Sequence, residues 1–126
     1  MIRGVGMDII EVRRIRQTLA RHGDRFIRRV MTREEIALAP GGVARAPFFA
    51  GRWAAKEAIS KMLGTGIGPG CAWTDICVLN HPSGQPYVTL RGDAAATAAA
   101  LGIAAIHISI SHLNTLACAC AVGESV

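Results

Sequence analysis

The sequence predicts an α+β domain in which a mainly antiparallel sheet packs around one long central helix. Three observations lead there. The stretch Pro47–Leu63 keeps helical spacing with apolar groups on most sides. Ile106–Ser111 and Leu116–Val122 both alternate with a period of two. Only the turn His112-Leu-Asn-Thr115 separates them, so the second strand returns beside the first. The chain of 126 residues suits one domain, 1–126, because no linker, repeat or low-complexity tract divides it.

From the N-terminus, residues 2–7 set Ile2, Gly4 and Gly6 against Arg3, Val5 and Met7, which reads as a strand. Asp8-Ile-Ile-Glu11 has the form of a capping box, which predicts a helix from there to about Arg21, stopped by His22-Gly23. A short basic helix is expected over residues 24–30, and Thr32-Arg-Glu-Glu35 is a second capping-box signature. Pro40-Gly-Gly42 is a loop. Pro47 suits the first turn of the long helix, and Gly64-Thr-Gly66 ends it. In projection, Ala54, Ala55, Ala58, Ile59 and Met62 share one side, where small side chains permit close backbone approach; Trp53, Glu57 and Ser60 lie roughly opposite. Residues 75–80 and 86–90 form a hairpin around His81-Pro-Ser-Gly84, and Gly92–Leu101 is a small helix. On the strand Ile106–Ser111, the isoleucines take one face and His107, Ser109 and Ser111 the other.

Composition narrows the class. Hydrophobic residues are 51% of the chain but aromatics only 5%, so small aliphatic side chains must fill most of the core. No apolar run is long enough to span a bilayer, and Asp8 and Glu11 interrupt any secretory pattern, so a soluble, cytoplasmic protein without a membrane partner is expected. Cys71, Cys77, Cys118 and Cys120 form no C-x-x-C pair, and they read as small buried hydrophobes in a reducing compartment. Net charge is +5, placed unevenly: residues 1–33 hold nine arginines against three acids, which makes +6, and leaves −1 for the remainder. A one-sided basic surface points to an acidic partner, either nucleic acid or an acidic protein. Low aromatic content and the lack of a nucleic-acid-binding motif favour the protein.

Three groups are candidates for chemistry. Asp8 stands where the first strand passes into the first helix, and serves equally as an N-cap or as a cleft carboxylate. Glu57 lies midway along an otherwise apolar helix, so it must be paired or bound to a cation. Lys61 at i+4 offers an ion pair. Two separated carboxylates without a cysteine or histidine cluster suit a hard cation such as magnesium, which takes one or two protein carboxylates and fills its shell with water and phosphate oxygens. Lys61-Met-Leu-Gly-Thr-Gly66 supplies the lysine and the glycine-rich backbone that phosphates favour, without P-loop spacing. His107, Ser109, Ser111 and His112 could line a ligand groove, and no G-x-S-x-G elbow supports a Ser-His-acid triad.

Gly4-Val-Gly-Met-Asp-Ile-Ile-Glu-Val12, Phe49-Ala-Gly-Arg-Trp-Ala-Ala-Lys-Glu-Ala58 with Lys61 and Gly64-Thr-Gly66, Trp73-Thr-Asp-Ile76, Gly84-Gln-Pro86 and His107-Ile-Ser-Ile-Ser-His112 together resemble the holo-acyl-carrier-protein synthases, the short bacterial branch of the 4′-phosphopantetheinyl transferases. The resemblance runs from Met1 to about Val122. It implies that family's fold and its reaction: transfer of the 4′-phosphopantetheine of coenzyme A to a serine of apo acyl carrier protein, with release of 3′,5′-ADP, in support of fatty acid biosynthesis. It implies Asp8 and Glu57 as magnesium carboxylates and Lys61 near the coenzyme A pyrophosphate. Gly64, Thr65 and Gly66 lie by the same ligand, with Ser111, His112 and the neighbouring His107 helping to hold it. It further implies homotrimers with sites shared between neighbouring subunits, which would account for a central helix apolar on nearly every side. The acidic carrier would dock on Arg14, Arg21, Arg25 and Arg28, with no nucleic acid involved. The base is either a water on the metal or a carboxylate such as Glu57. Ala37 stands where some relatives carry an aspartate proposed to position a base. That departure keeps one rival in view, a trimeric interaction protein that has lost activity, whereas intact Asp8, Glu57 and Lys61 argue for the enzyme.

Overall fold

A computed structural model describes every residue from Met1 to Val126. In chain order the elements are β1 (Ile2–Glu11), α1 (Val12–His22), α2 (Asp24–Val30), α3 (Arg33–Leu38), α4 (Arg45–Met62), β2 (Ile76–Asn80), β3 (Pro86–Leu90), α5 (Gly92–Ala100), β4 (Ala105–His112) and β5 (Leu116–Glu124). Strand β5 runs between β1 and β4, antiparallel to both, while β2 and β3 form a separate hairpin. No helix is long and apolar enough to cross a membrane.

Helix α4 is the centre, as its pattern predicts. Twelve of its eighteen residues are buried, among them Ala50, Ala54, Ala55, Ala58 and Ile59. The inward-facing Ala117, Ala119 and Ala121 of β5 meet it. The small residues bring backbones together. A Cβ on Gly6 would stand 1.9 Å from the Ala58 carbonyl oxygen and 2.7 Å from the Met62 nitrogen, and one on Gly4 would stand 2.2 Å from the Met62 carbonyl oxygen. Strand β1 therefore lies directly on the last two turns of α4. Gly6→Ala should force the pair apart and destabilise the protein by about 3 kcal/mol or more, read as a lower urea midpoint at unchanged slope.

Three expectations need correction. First, β1 does not stop at Met7. Pairing with β5 continues through Asp8↔Ala119 to Glu11↔Leu116, and α1 starts at Val12 with Glu11 at its N-cap and no side-chain cap bond. The ladder overrides the local capping signal, so Asp8 is a strand residue and not a cap. Second, the apolar sides of α4 are covered by its own chain. The surface left open lies on the sheet, where Val5, Met7 and Ile9 of β1 are 57%, 65% and 65% exposed beside half-buried Cys118, Cys120 and Val122 of β5. Third, Cys118 and Cys120 consequently sit on that open face, whereas Cys71 and Cys77 are buried; all four are free thiols. On β4 the expected alternation holds, with half-buried isoleucines opposite exposed His107, Ser109 and Ser111.

Thr32 caps α3 as its signature predicts: its hydroxyl accepts from Glu35 N, and Glu35 Oε1 accepts from Thr32 N. Glu35 does more than close the box. It is fully buried and pairs at 2.7 Å with the equally buried Lys56 of α4.

Candidate functional site

On β1, Gly4, Gly6, Asp8 and Ile10 face α4, so Asp8 is a carboxylate on the inner side of the sheet with 16% of its side chain exposed. The close seat of Gly6 on Ala58 delivers it to the helix surface that carries Glu57 and Lys61. Lys61 Nζ donates to Asp8 Oδ1 at 3.1 Å and to the Met7 carbonyl at 3.0 Å. It thus bridges two elements instead of pairing with Glu57 along the helix. Glu57 has no ion-pair partner within 4 Å. Burial, then the negative charge of Asp8, push its carboxyl above the ordinary value, with Lys61 opposing.

Two oxygen-donor side chains that repel each other, with no third His, Cys, Asp or Glu converging on them, suit magnesium better than zinc. A hard divalent cation would relieve the repulsion and still leave most of its shell to water and phosphate. The raised Glu57 value has a consequence for the metal-free protein. An acid whose pKa is higher when folded contributes stability below its unfolded value and loses that contribution as pH rises through the folded value. Glu57→Gln in chelator should therefore melt above the parent at about pH 7.5 and lose that advantage at about pH 4. Differential scanning calorimetry at the two pH values reads this directly.

The turn after α4 behaves differently from the expected phosphate cradle. Gly64 N donates to Lys61 O at 3.0 Å, and Thr65 N and Gly66 N both donate to Ser60 O, at 3.2 and 3.1 Å. These amides are spent on the open carbonyls at the helix end. What the turn offers a ligand is room: Gly64 and Gly66 have φ of 82° and 65°, and nothing lies within 4 Å of a Cβ added to either. Any polar recognition at this end falls to Lys61.

The arginines divide between faces. Arg14 and Arg25 line a groove of about 590 Å³ together with Arg29 and His22. Its floor is aromatic: Trp53 packs on Trp73 at 4.3 Å and on Phe26 at 5.9 Å between ring centroids. Arg21 joins Arg14 around a shallower depression beside α1. Arg28 turns away, to a third depression shared with Arg33 and Arg91. The groove and the carboxylates share β1 and α4. The groove's Ile10 is two residues from Asp8 on the same face of β1, and its Trp53 is one helical turn before Glu57.

At the other end of α4, His112 lines a cavity of about 680 Å³ with Arg16, Arg52 and Asn114. Arg52 is 9% exposed, donates from its guanidinium to Asn80 Oδ1 and lies 4.4 Å over the Phe48 ring. Its Nε has no hydrogen-bond partner, and burial lowers its pKa. A guanidinium lining a cavity beside an arginine and a histidine is suited to an anion, although its Nε is itself enclosed. Arg52, Arg16 and Arg29 escaped the sequence reading. For Arg52 the signal existed: an arginine inside an otherwise buried helix needs a partner as much as Glu57 does.

His107 does not join this cavity. It stands five strand positions from His112 and meets Glu124 at 3.1 Å. Within one chain Lys61 and Arg52 are nine helical residues, about 13 Å, apart. The structure thus gathers Asp8, Glu57 and Lys61 at one end of α4, places His112 near the other, and leaves Ser111 on the outer sheet face.

Comparison with known proteins identifies the family and the fold. A model of the 4′-phosphopantetheinyl transferase superfamily matches residues 4–121. A holo-[acyl-carrier-protein] synthase of Methylobacterium nodulans is 45% identical over 130 residues, covering all of this chain and 98% of the relative. Among solved structures, holo-[acyl-carrier-protein] synthase of Neisseria meningitidis superimposes with a TM-score of 0.91 at 30% identity, over 99% of this chain and 100% of that one. The Bacillus anthracis enzyme in complex with CoA (3′,5′-ADP) gives 0.85 at 39% identity, over 100% and 99%.

Proposed function

This chain belongs to the 4′-phosphopantetheinyl transferase superfamily, in its holo-acyl-carrier-protein synthase branch, and we propose that it transfers 4′-phosphopantetheine from coenzyme A to a serine of an apo acyl carrier protein, releasing 3′,5′-ADP. The observation that carries the reading is the gathering of Asp8, Glu57 and Lys61 on β1 and α4, two elements that also line an arginine-rich aromatic groove. The reaction places new charge on a pyrophosphate, and positioning with charge neutralisation supplies most of the rate.

Asp8 and Glu57 would hold magnesium, as their donor chemistry allows. When bound, that cation neutralises the pyrophosphate and stabilises the leaving phosphate. Lys61, steadied by Asp8 and the Met7 carbonyl, sets a second positive charge where negative charge develops. In the turn Gly64-Thr65-Gly66 the two glycines let the ligand pass close to backbone, with Thr65 between them. Arg14, Arg21 and Arg25, with Arg29, receive the acidic carrier, and the aromatic floor offers apolar cover beside the reacting serine. Arg28 is a peripheral contributor, since it faces another depression.

The distance between the Lys61 and His112 ends of α4 bears on assembly. A homotrimer that buries the Val5–Met7–Ile9 face would let one copy supply Lys61 and its neighbour His112 and Arg52 to a single coenzyme A. Ser111 and His107 lie on the exposed side of β4, where a neighbouring copy would meet them. A place in fatty acid biosynthesis, in the cytoplasm, follows from the carrier substrate.

Intact-mass analysis of an apo carrier protein after incubation with coenzyme A, magnesium and this protein tests the reading. The expected result is a gain of one phosphopantetheine that disappears with chelator. No gain across several carriers would leave the fold without its activity.

A further inference from the structure

The buried charge pair beneath the groove is not explained by stability. Replacing such a pair with apolar side chains is often neutral or favourable, so its presence argues for specified geometry. Lys56 Nζ meets Glu35 Oε1 at 2.7 Å and donates to three carbonyls in three segments: Val30 at 2.7 Å, Ile76 at 2.8 Å and Trp73 at 3.1 Å. Glu35 in turn accepts from Val78 N at 2.8 Å on β2. One ammonium thus ties the end of α2, the turn carrying Trp73 and the start of β2 to the helix residue next to Glu57. Trp73 is the ring against which Trp53 packs at a tilt of 35°, and α2 carries Arg25 and Phe26, which stacks on Trp53.

We propose that Lys56 and Glu35 are positioning residues that hold the aromatic and arginine walls of the groove at a fixed angle to Glu57, and through them the carrier serine. The inference rests on the transferase reading for its kinetic arm but not for its structural one. The chain has two tryptophans, Trp53 and Trp73, whose rings pack against each other with centroids 4.3 Å apart. Their near-ultraviolet circular dichroism therefore reports the groove's geometry without any substrate.

The test compares the parent with Glu35→Leu/Lys56→Met, which leaves no unpaired charge, and with Glu35→Gln, which keeps the side-chain volume. Far-ultraviolet dichroism confirms folding, and carrier and coenzyme A are varied separately. The expected result is a folded protein whose tryptophan signal is altered. Its kcat/KM for the carrier is lower by about a hundredfold, while KM for coenzyme A stays within about twofold. A folded variant that keeps the parental tryptophan signal, or the parental kcat/KM, overturns the proposal even if its melting temperature falls. Failure of both variants to fold also overturns it, assigning the pair to stability alone. A parent without transfer activity refutes the function reading instead, and the dichroism then decides the pair's role in shaping the groove.

Discussion

Asp8→Asn and Glu57→Gln should each abolish magnesium-dependent transfer, lowering turnover by about a thousandfold while the far-ultraviolet spectrum stays unchanged. Both substitutions keep the side-chain shape and remove one of the two negative charges that make the site attractive to a cation. Neither should unfold the protein. Asp8 gives up a bond to a half-exposed Lys61, of a kind worth little, and Glu57 gives up a charge that burial and Asp8 already disfavour. Both variants should also part from the parent in a telling way. Added magnesium should raise the parent's melting temperature and move neither variant, because ligand that binds only the folded state stabilises it by mass action. Unchanged turnover in either variant removes that residue from the metal site.

Much of this site was legible before any coordinates, and the reasons differ residue by residue. Glu57 announced itself because a carboxylate inside an apolar helix has to be answered by something. Asp8 was ambiguous only while it stood as a helix cap; its real setting is a strand whose partner, β5, lies more than a hundred residues away in sequence. Local pattern carries no information about such a ladder, so the capping signal won on paper and lost in the fold. Lys61 was found, but its partner was not, since the i+4 rule knows only the helix and not the strand seated on it. Gly64 and Gly66 were correctly placed as the end of α4, yet their amides turn inward to cap it, which composition cannot distinguish from a phosphate cradle. Glu35 was read wholly as a capping residue, because a carboxylate oxygen free to meet Lys56 looks the same in sequence as one facing water. Arg28 shares the basic stretch with Arg25 and Arg29 but not their groove: those two are four residues apart on one face, while Arg28 stands about 100° round the helix from Arg29 and lines another depression.

The proposed trimer with shared sites carries an expectation that no single-chain site can imitate. Lys61→Ala and His112→Ala are exchanges of exposed side chains at opposite ends of α4, and each should fold and assemble. Each homotrimer alone should lose transfer by about a hundredfold, since every site lacks one contact. When the two are exchanged into mixed trimers, a site that draws Lys61 from a His112→Ala chain and His112 from a Lys61→Ala neighbour is complete. Random assortment of equal amounts makes about a quarter of all sites whole, so activity should return to about a quarter of the parental value. Native mass spectrometry establishes that the trimers have mixed. Recovery in mixed trimers requires that neighbouring copies build one site together, and it would assign the open face of β1 and β5 its purpose. Mixed trimers without recovery would place both residues at one chain's own site, leaving the separation along α4 to be bridged by the extended coenzyme itself.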